Sequence, residues 1–204
     1  MNWPEKRIIL DLCGGTGSWS LPYIEAGYDV RNITLPRYDV KSWSPLENVY
    51  VSEIYGILAA PPCEQFSFAK TTGEPRDMKK GMEIVIACLK IIWECQYKLP
   101  SPYAKTTVLK FWALENPNSL LKRFLGKPVF EFNPYDFGDN YKKKTHLWGY
   151  FNIPEKNPIK CDKPKFDRLK TKEIHGEYYG KYNRITRRAI TPSGFAKAFF
   201  EANP

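Results

Sequence analysis

An apolar run, Tyr55-Gly56-Ile57-Leu58-Ala59-Ala60, stops abruptly at Pro61-Pro62 and is followed at once by Cys63. The run reads as a buried strand. Two prolines end it, because each fixes φ and lacks the N–H that a β-ladder needs. In an open α/β sheet the residues just past a strand sit at its carboxyl edge, where ligands bind and loops carry chemistry. The rigid proline pair also fixes the direction of Cys63, as a nucleophile approaching from one face requires. A structural cysteine is the competing reading of any lone thiol, and here the surroundings decide.

Two other strand ends carry similar features. Arg7 to Leu12 is a short apolar strand containing Asp11, and Cys13-Gly14-Gly15-Thr16-Gly17-Ser18 precedes a predicted helix over Ser20 to Gly27. A strand, a glycine loop and a helix form a nucleotide-cradling unit, although Gly14, Gly15 and Gly17 do not match GxGxxG, and an ordinary tight turn competes. Lys110 to Leu114 is another strand, running into Glu115-Asn116-Pro117. Strands are also predicted at 28–35, 53–60, 129–132 and 146–151, with helices at 77–98 and 119–124. In the long helix Met78, Met82, Val85, Leu89 and Ile92 recur at helical spacing. This alternation predicts an α/β fold: a doubly wound, mainly parallel sheet.

Length and charge bound the rest. The 204 residues suit one compact domain, and a net charge of +9 suggests a polyanionic partner. The chain divides into a catalytic core at 1–152, an irregular basic module at 153–190 and a C-terminal helix at 191–204 that packs back on the core. From Glu155 to Arg188 there are 11 Lys and Arg against 5 Asp and Glu. Five cysteines without a CxxC pair fit a reducing cytosol rather than disulfides or zinc. No membrane span or signal peptide is expected, nor any metal.

In order and spacing, the glycine loop, Pro62-Cys63 with Phe66-Ser67, and Glu115-Asn116 resemble the DNA cytosine-5 methyltransferase family. The resemblance covers residues 7–152 and the last dozen. It implies a Rossmann-like class I methyltransferase core with a reduced target-recognition region. It further implies base flipping of a DNA target, S-adenosylmethionine as cofactor, and a monomer in bacterial or phage-infected cytoplasm. Cys63 and Glu115 take the catalytic roles. Asp11, Gly14, Gly15, Gly17, Ser18, Trp19, Asp39, Pro61 and Arg188 fall to the cofactor. Ser67, Lys142, Lys143, Lys144, Lys163 and Lys165 fall to DNA, with a solvated face as the competing reading of the lysine run. Departures are Thr34-Leu35-Pro36, where the family has a ribose-holding acid, and Tyr141-Lys142-Lys143-Lys144-Thr145, where it has Gln-x-Arg-x-Arg.

The chemistry needs a partly ionised thiol that adds to the 6-carbon of cytosine, making the 5-carbon nucleophilic. It also needs a carboxyl near ring N3. Three alternatives stay open. Arg187-Arg188 could bind a carboxylate on carboxy-S-adenosylmethionine, giving carboxymethyl transfer. The scaffold could bind DNA without catalysis, or act on free nucleotides.

Overall fold

The computed structural model of the protein describes residues 7–49, 51–68, 70–71, 73–97, 109–158, 165–166 and 178–204. Six strands make one sheet: β1 (Ile8–Leu12), β2 (Asp29–Ile33), β3 (Ile54–Ala59), β4 (Phe111–Pro117), β5 (Phe130–Phe132) and β7 (Thr145–Tyr150). Their order is β2-β1-β3-β4-β7-β5. β1, β2, β3 and β4 are mutually parallel, and β7 is antiparallel to both of its neighbours. The expected doubly wound, mainly parallel, Rossmann-like sheet is therefore present.

Alternation along the strands divides the core into two layers. Ile8 and Leu10 face the long helix α3 (Met78–Tyr97) and its Val85, Cys88 and Ile92. Ile9, between them, faces α1 (Leu21–Glu25) and the C-terminal helix α6 (Ser193–Ala202) through Tyr23, Phe195 and Phe199. Phe195 stacks on Phe132 with ring centres 3.9 Å apart. Burying such a side chain is worth about 1.5–3 kcal/mol. α6 is also anchored at its end: Asn203 donates to the Asn152 carbonyl at 3.0 Å, and its own carbonyl accepts from Tyr23 Oη at 2.9 Å.

Smaller elements complete the described chain: α2 (Pro45–Asn48), α4 (Lys122–Leu125), α5 (Arg184–Ala189), and a two-stranded parallel pair, β6 (Tyr141–Lys142) with β8 (Lys165–Phe166). The predicted helix over 119–124 starts later and is shorter. Ser119 is diverted into a β-bridge with Ser67 and a hydrogen bond to Asn116. β4 runs three residues beyond the predicted 110–114, since Glu115, Asn116 and Pro117 pair across to Leu147, His146 and Thr145. A proline is tolerated there because it is the last residue of the ladder. Of the basic module expected at 153–190, residues 159–164 and 167–177 lie outside the described residues.

In an open α/β sheet the ligand crevice lies at the carboxyl edge, where the strand order reverses. Here that point falls between β1 and β3. The loops leaving these two strands are the glycine loop and the Pro-Pro-Cys turn.

Candidate active site

β3 keeps its ladder one residue past its end, with Ala60 N–H donating to the Leu12 carbonyl at 2.9 Å. Pro61 is buried, and its carbonyl accepts from Asn116 Nδ2 at 3.0 Å. The other end of that amide accepts from Ser119 Oγ at 3.0 Å, so the fully buried Asn116 is satisfied on both sides. This amide staples the end of β4 to the loop that carries Cys63. The turn itself is closed by the Cys63 carbonyl, which accepts from Phe66 N–H at 3.0 Å and Ser67 N–H at 2.8 Å.

Phe66 is the anchor of the turn. Its ring is fully buried, and its carbonyl accepts from Leu120 N–H at 3.0 Å. Gln65 ties the other flank down: its side-chain oxygen accepts from Asp77 N–H at 2.9 Å, next to the start of α3. Arg76 donates to the Gln65 carbonyl at 3.1 Å. With both flanks held, the half-buried Cys63 has little freedom of direction.

Cys63, Glu115, Lys143 and Arg188 share one electrostatic neighbourhood. Burial pushes the Cys63 thiol up and the Glu115 carboxyl adds to the rise, while Lys143 and Arg188 pull it back. Burial likewise pushes Glu115 up, against the pull of Lys143. Each acid therefore disfavours the charge of the other, and the cations decide how far a proton is released. A carboxyl raised in this way keeps its proton to a higher pH than an ordinary glutamate.

The glycine loop lies one strand over. Asp11 is fully buried; its Oδ2 accepts from Ser20 Oγ at 2.6 Å, and its Oδ1 has no partner among the described residues. Burial pushes this carboxyl up to about 6, with Ser20 acting against the rise. Gly14 must be glycine, because a Cβ there would run into the Asp11 carboxyl. Gly15 and Gly17 take φ of 56° and 73°, and Cys13 is a non-glycine residue at 57°. Such a residue costs about 1–3 kcal/mol and is found where a site over-determines the backbone.

Two residues that sequence reasoning missed line this loop. Asn32, beside Asp11 on β2, donates to the Gly15 carbonyl at 3.2 Å, and its buried Oδ1 has no described partner. Thr34 Oγ1 accepts from Gly15 N–H at 3.3 Å. Where an acid was sought and not found, the strand end presents an amide and a hydroxyl instead. No residue type at those positions announces a site.

The remaining expected residues fall in varied places. Ser18 Oγ accepts from Thr191 N–H at 2.9 Å, tying the loop to the turn between α5 and α6. The Trp19 ring belongs to the core, 5.4 Å from Phe199. Asp39 closes its own turn, with Oδ1 accepting from Lys41 N–H at 2.9 Å. Ser67 bridges to Ser119. Lys142 is exposed in β6, and the exposed Lys144 pairs with Glu131 at 2.7 Å. Lys143 is half-buried and donates to the Arg188 carbonyl at 2.8 Å. Arg187 lies over the Tyr179 ring, 4.7 Å from its centre. Lys163 lies outside the described residues, and Lys165 is in β8.

Among the described residues there is no cluster of three or more His, Cys, Asp or Glu side chains suited to a metal. No described helix is long and apolar enough to cross a membrane.

No protein-family model matches the chain, and no curated protein does. Among solved structures, it is similar to a DNMT2 mutant from Spodoptera frugiperda at 13% identity, with a TM-score of 0.42. The match covers 79% of this chain and 54% of that one, so the chain spans about half the length of the structure it matches.

Proposed function

We propose that the chain is a DNA cytosine-5 methyltransferase that uses S-adenosylmethionine and attacks its target base through Cys63. The observation that carries this reading is the Asn116 staple. It holds a directed thiol and a raised carboxyl together, one strand away from a glycine loop flanked by buried acceptors that have no partner among the described residues.

The residues present fit the cofactor. Asp11 Oδ1 and Asn32 Oδ1 are buried acceptors in need of donors, which an ammonium or ribose hydroxyls would supply. When bound, the cofactor supplies an electrophilic methyl group on a sulfonium. Cys63 loses its proton and adds to the 6-carbon of the base, forming an S–C bond. Glu115 holds a proton at ring N3, which favours that attack. Once the 5-carbon has been alkylated and its proton lost, the S–C bond breaks and the thiolate leaves. The positive charge of the chain favours a polyanionic substrate, and a duplex target would be flipped out at a cost of a few kcal/mol.

Incubation with DNA carrying 5-fluorocytosine tests the reading, because the 5-proton cannot leave and the adduct persists. With cofactor, the wild type should form a denaturant-stable protein–DNA adduct and Cys63→Ser should form none. Binding without an adduct would favour a DNA-binding scaffold without catalysis. A second reading rests on Arg188, whose charge is felt at Cys63. A guanidinium there suits a carboxylate on the transferred group, and the mass of the product nucleoside separates methyl from carboxymethyl.

A further inference from the structure

Lys142, Lys143 and Lys144 form a continuous basic run, but the fold sends them in different directions. Lys142 and Lys144 are exposed, and Lys144 is engaged by Glu131. Lys143 is half-buried, with Nζ 2.8 Å from the Arg188 carbonyl in the last turn of α5. Its backbone is fixed from both sides. The Lys143 carbonyl accepts from Thr145 Oγ1 at 2.9 Å, and the neighbouring Lys144 carbonyl accepts from Asn118 N–H at 2.8 Å. Thr145 opens β7 opposite Pro117, two residues past Glu115, so the segment is pinned against the catalytic end of β4.

We infer that Lys143 is a positioning cation inside the site, which sets the ionisation of the Cys63–Glu115 pair, rather than a phosphate contact on the surface. This rests on reading those two residues as the reactive pair.

The charged groups that face Cys63 among the described residues are Glu115 from β4, Lys143 from the link between β6 and β7, and Arg188 from α5. Arg188 is exposed and acts on the thiol; Lys143 acts on thiol and carboxyl alike. Its hydrogen bond goes to a neutral carbonyl, so the ammonium keeps its full charge for the two acids. A thiol and a carboxyl packed together resist a second negative charge. One shared cation offsets part of that repulsion and favours the charged form of both groups. Without Lys143, both groups would hold their protons to higher pH, and less thiolate would be present at any given pH.

The test needs neither DNA nor cofactor. The full chain is alkylated with iodoacetamide between about pH 6 and 10, and modification of Cys63 is followed by peptide mass spectrometry. Lys143→Gln keeps a donor for the Arg188 carbonyl and removes the charge. It should move the Cys63 midpoint up by about one pH unit and slow alkylation near pH 7.5 about tenfold. Lys143→Arg should restore the wild-type profile, and Lys144→Met, which removes an equal charge from the surface, should leave it in place. Protection of buried Cys88 and Cys95 reports that each variant is folded. Should Lys143→Gln lose that protection, the wild-type profile at low salt and at about 1 M salt serves instead, and its midpoint should rise as salt screens the cations. An unchanged profile in a folded Lys143→Gln, or an equal shift in Lys144→Met, overturns the inference. A missing DNA adduct would overturn the proposed reaction while leaving these thiol profiles as they are.

Discussion

The Asn116 amide is where the geometry of the site can be broken most selectively. Asn116→Leu keeps the volume and removes both hydrogen bonds, leaving the buried Pro61 carbonyl without its donor and Ser119 Oγ without its acceptor. Each orphaned buried group costs about 1–3 kcal/mol, so the two together should cost about 2–4 kcal/mol after partial relaxation. In a chain of this size that corresponds to a fall in Tm of roughly 5–15 °C. Activity should fall further than stability, because the loop that directs Cys63 is no longer fixed to the strand that carries Glu115. A misplacement of about 1 Å at a reacting centre can cost 10²-fold in rate. Thermal or urea unfolding gives the first quantity, and single-turnover transfer to DNA, measured well below the new Tm, gives the second. Asn116→Asp adds a pH dependence. A protonated carboxyl can still donate to the Pro61 carbonyl, while the ionised form is repelled by it. Burial raises the folded pKa of the introduced acid, so this variant should regain stability relative to wild type as pH falls. Full activity and a Tm within about 2 °C of wild type in Asn116→Leu would refute the staple.

Glu115→Gln keeps shape and loses the acid, so single-turnover transfer should fall by roughly 10²-fold while DNA affinity, measured by fluorescence anisotropy, changes little. Asp11, raised from its ordinary 3.8 to about 6 by burial, makes the ligand-free protein less stable as pH rises through that window, by about 3 kcal/mol in all. Asp11→Asn should flatten that part of the stability curve in urea titrations and abolish cofactor binding in calorimetry. Phe195→Ala, which empties a fully buried position stacked on Phe132, should cost about 3–5 kcal/mol and leave the thiol profile of the folded protein unchanged.

The parallel half of the sheet was legible because it is written locally. β1, β3 and α3 lie within a residue or two of their predicted bounds, since uninterrupted apolar runs and helical spacing need no partner to be recognised. The place of Cys63 just past β3 was legible because two prolines mark a strand stop, whereas Glu115, expected at a strand end, lies inside β4. What could not be read is decided by contacts between distant segments. Nothing near Lys143 distinguishes it from Lys142 and Lys144 until α5 arrives to accept its hydrogen bond. Nothing near Ser18 announces that its hydroxyl accepts from Thr191, 173 residues away. The pairing of β7 with β4 and β5 likewise has no local signature, though both segments were read as strands.

That pairing has a kinetic consequence. Among the described residues β5 pairs with β7 alone, which lies between it and β4 in the sheet and follows it in the chain. During vectorial synthesis β5 therefore leaves the ribosome before the strand it must join. The two segments around it, Val129–Phe132 and Thr145–Tyr150, are rich in apolar and aromatic residues. While waiting, β5 is an exposed strand with two open edges, the kind of intermediate that associates with other chains. Slowing translation when residue 132 has just left the ribosome should lower the soluble yield, whereas a pause once residue 150 has left it, with β7 free to close the sheet, should not.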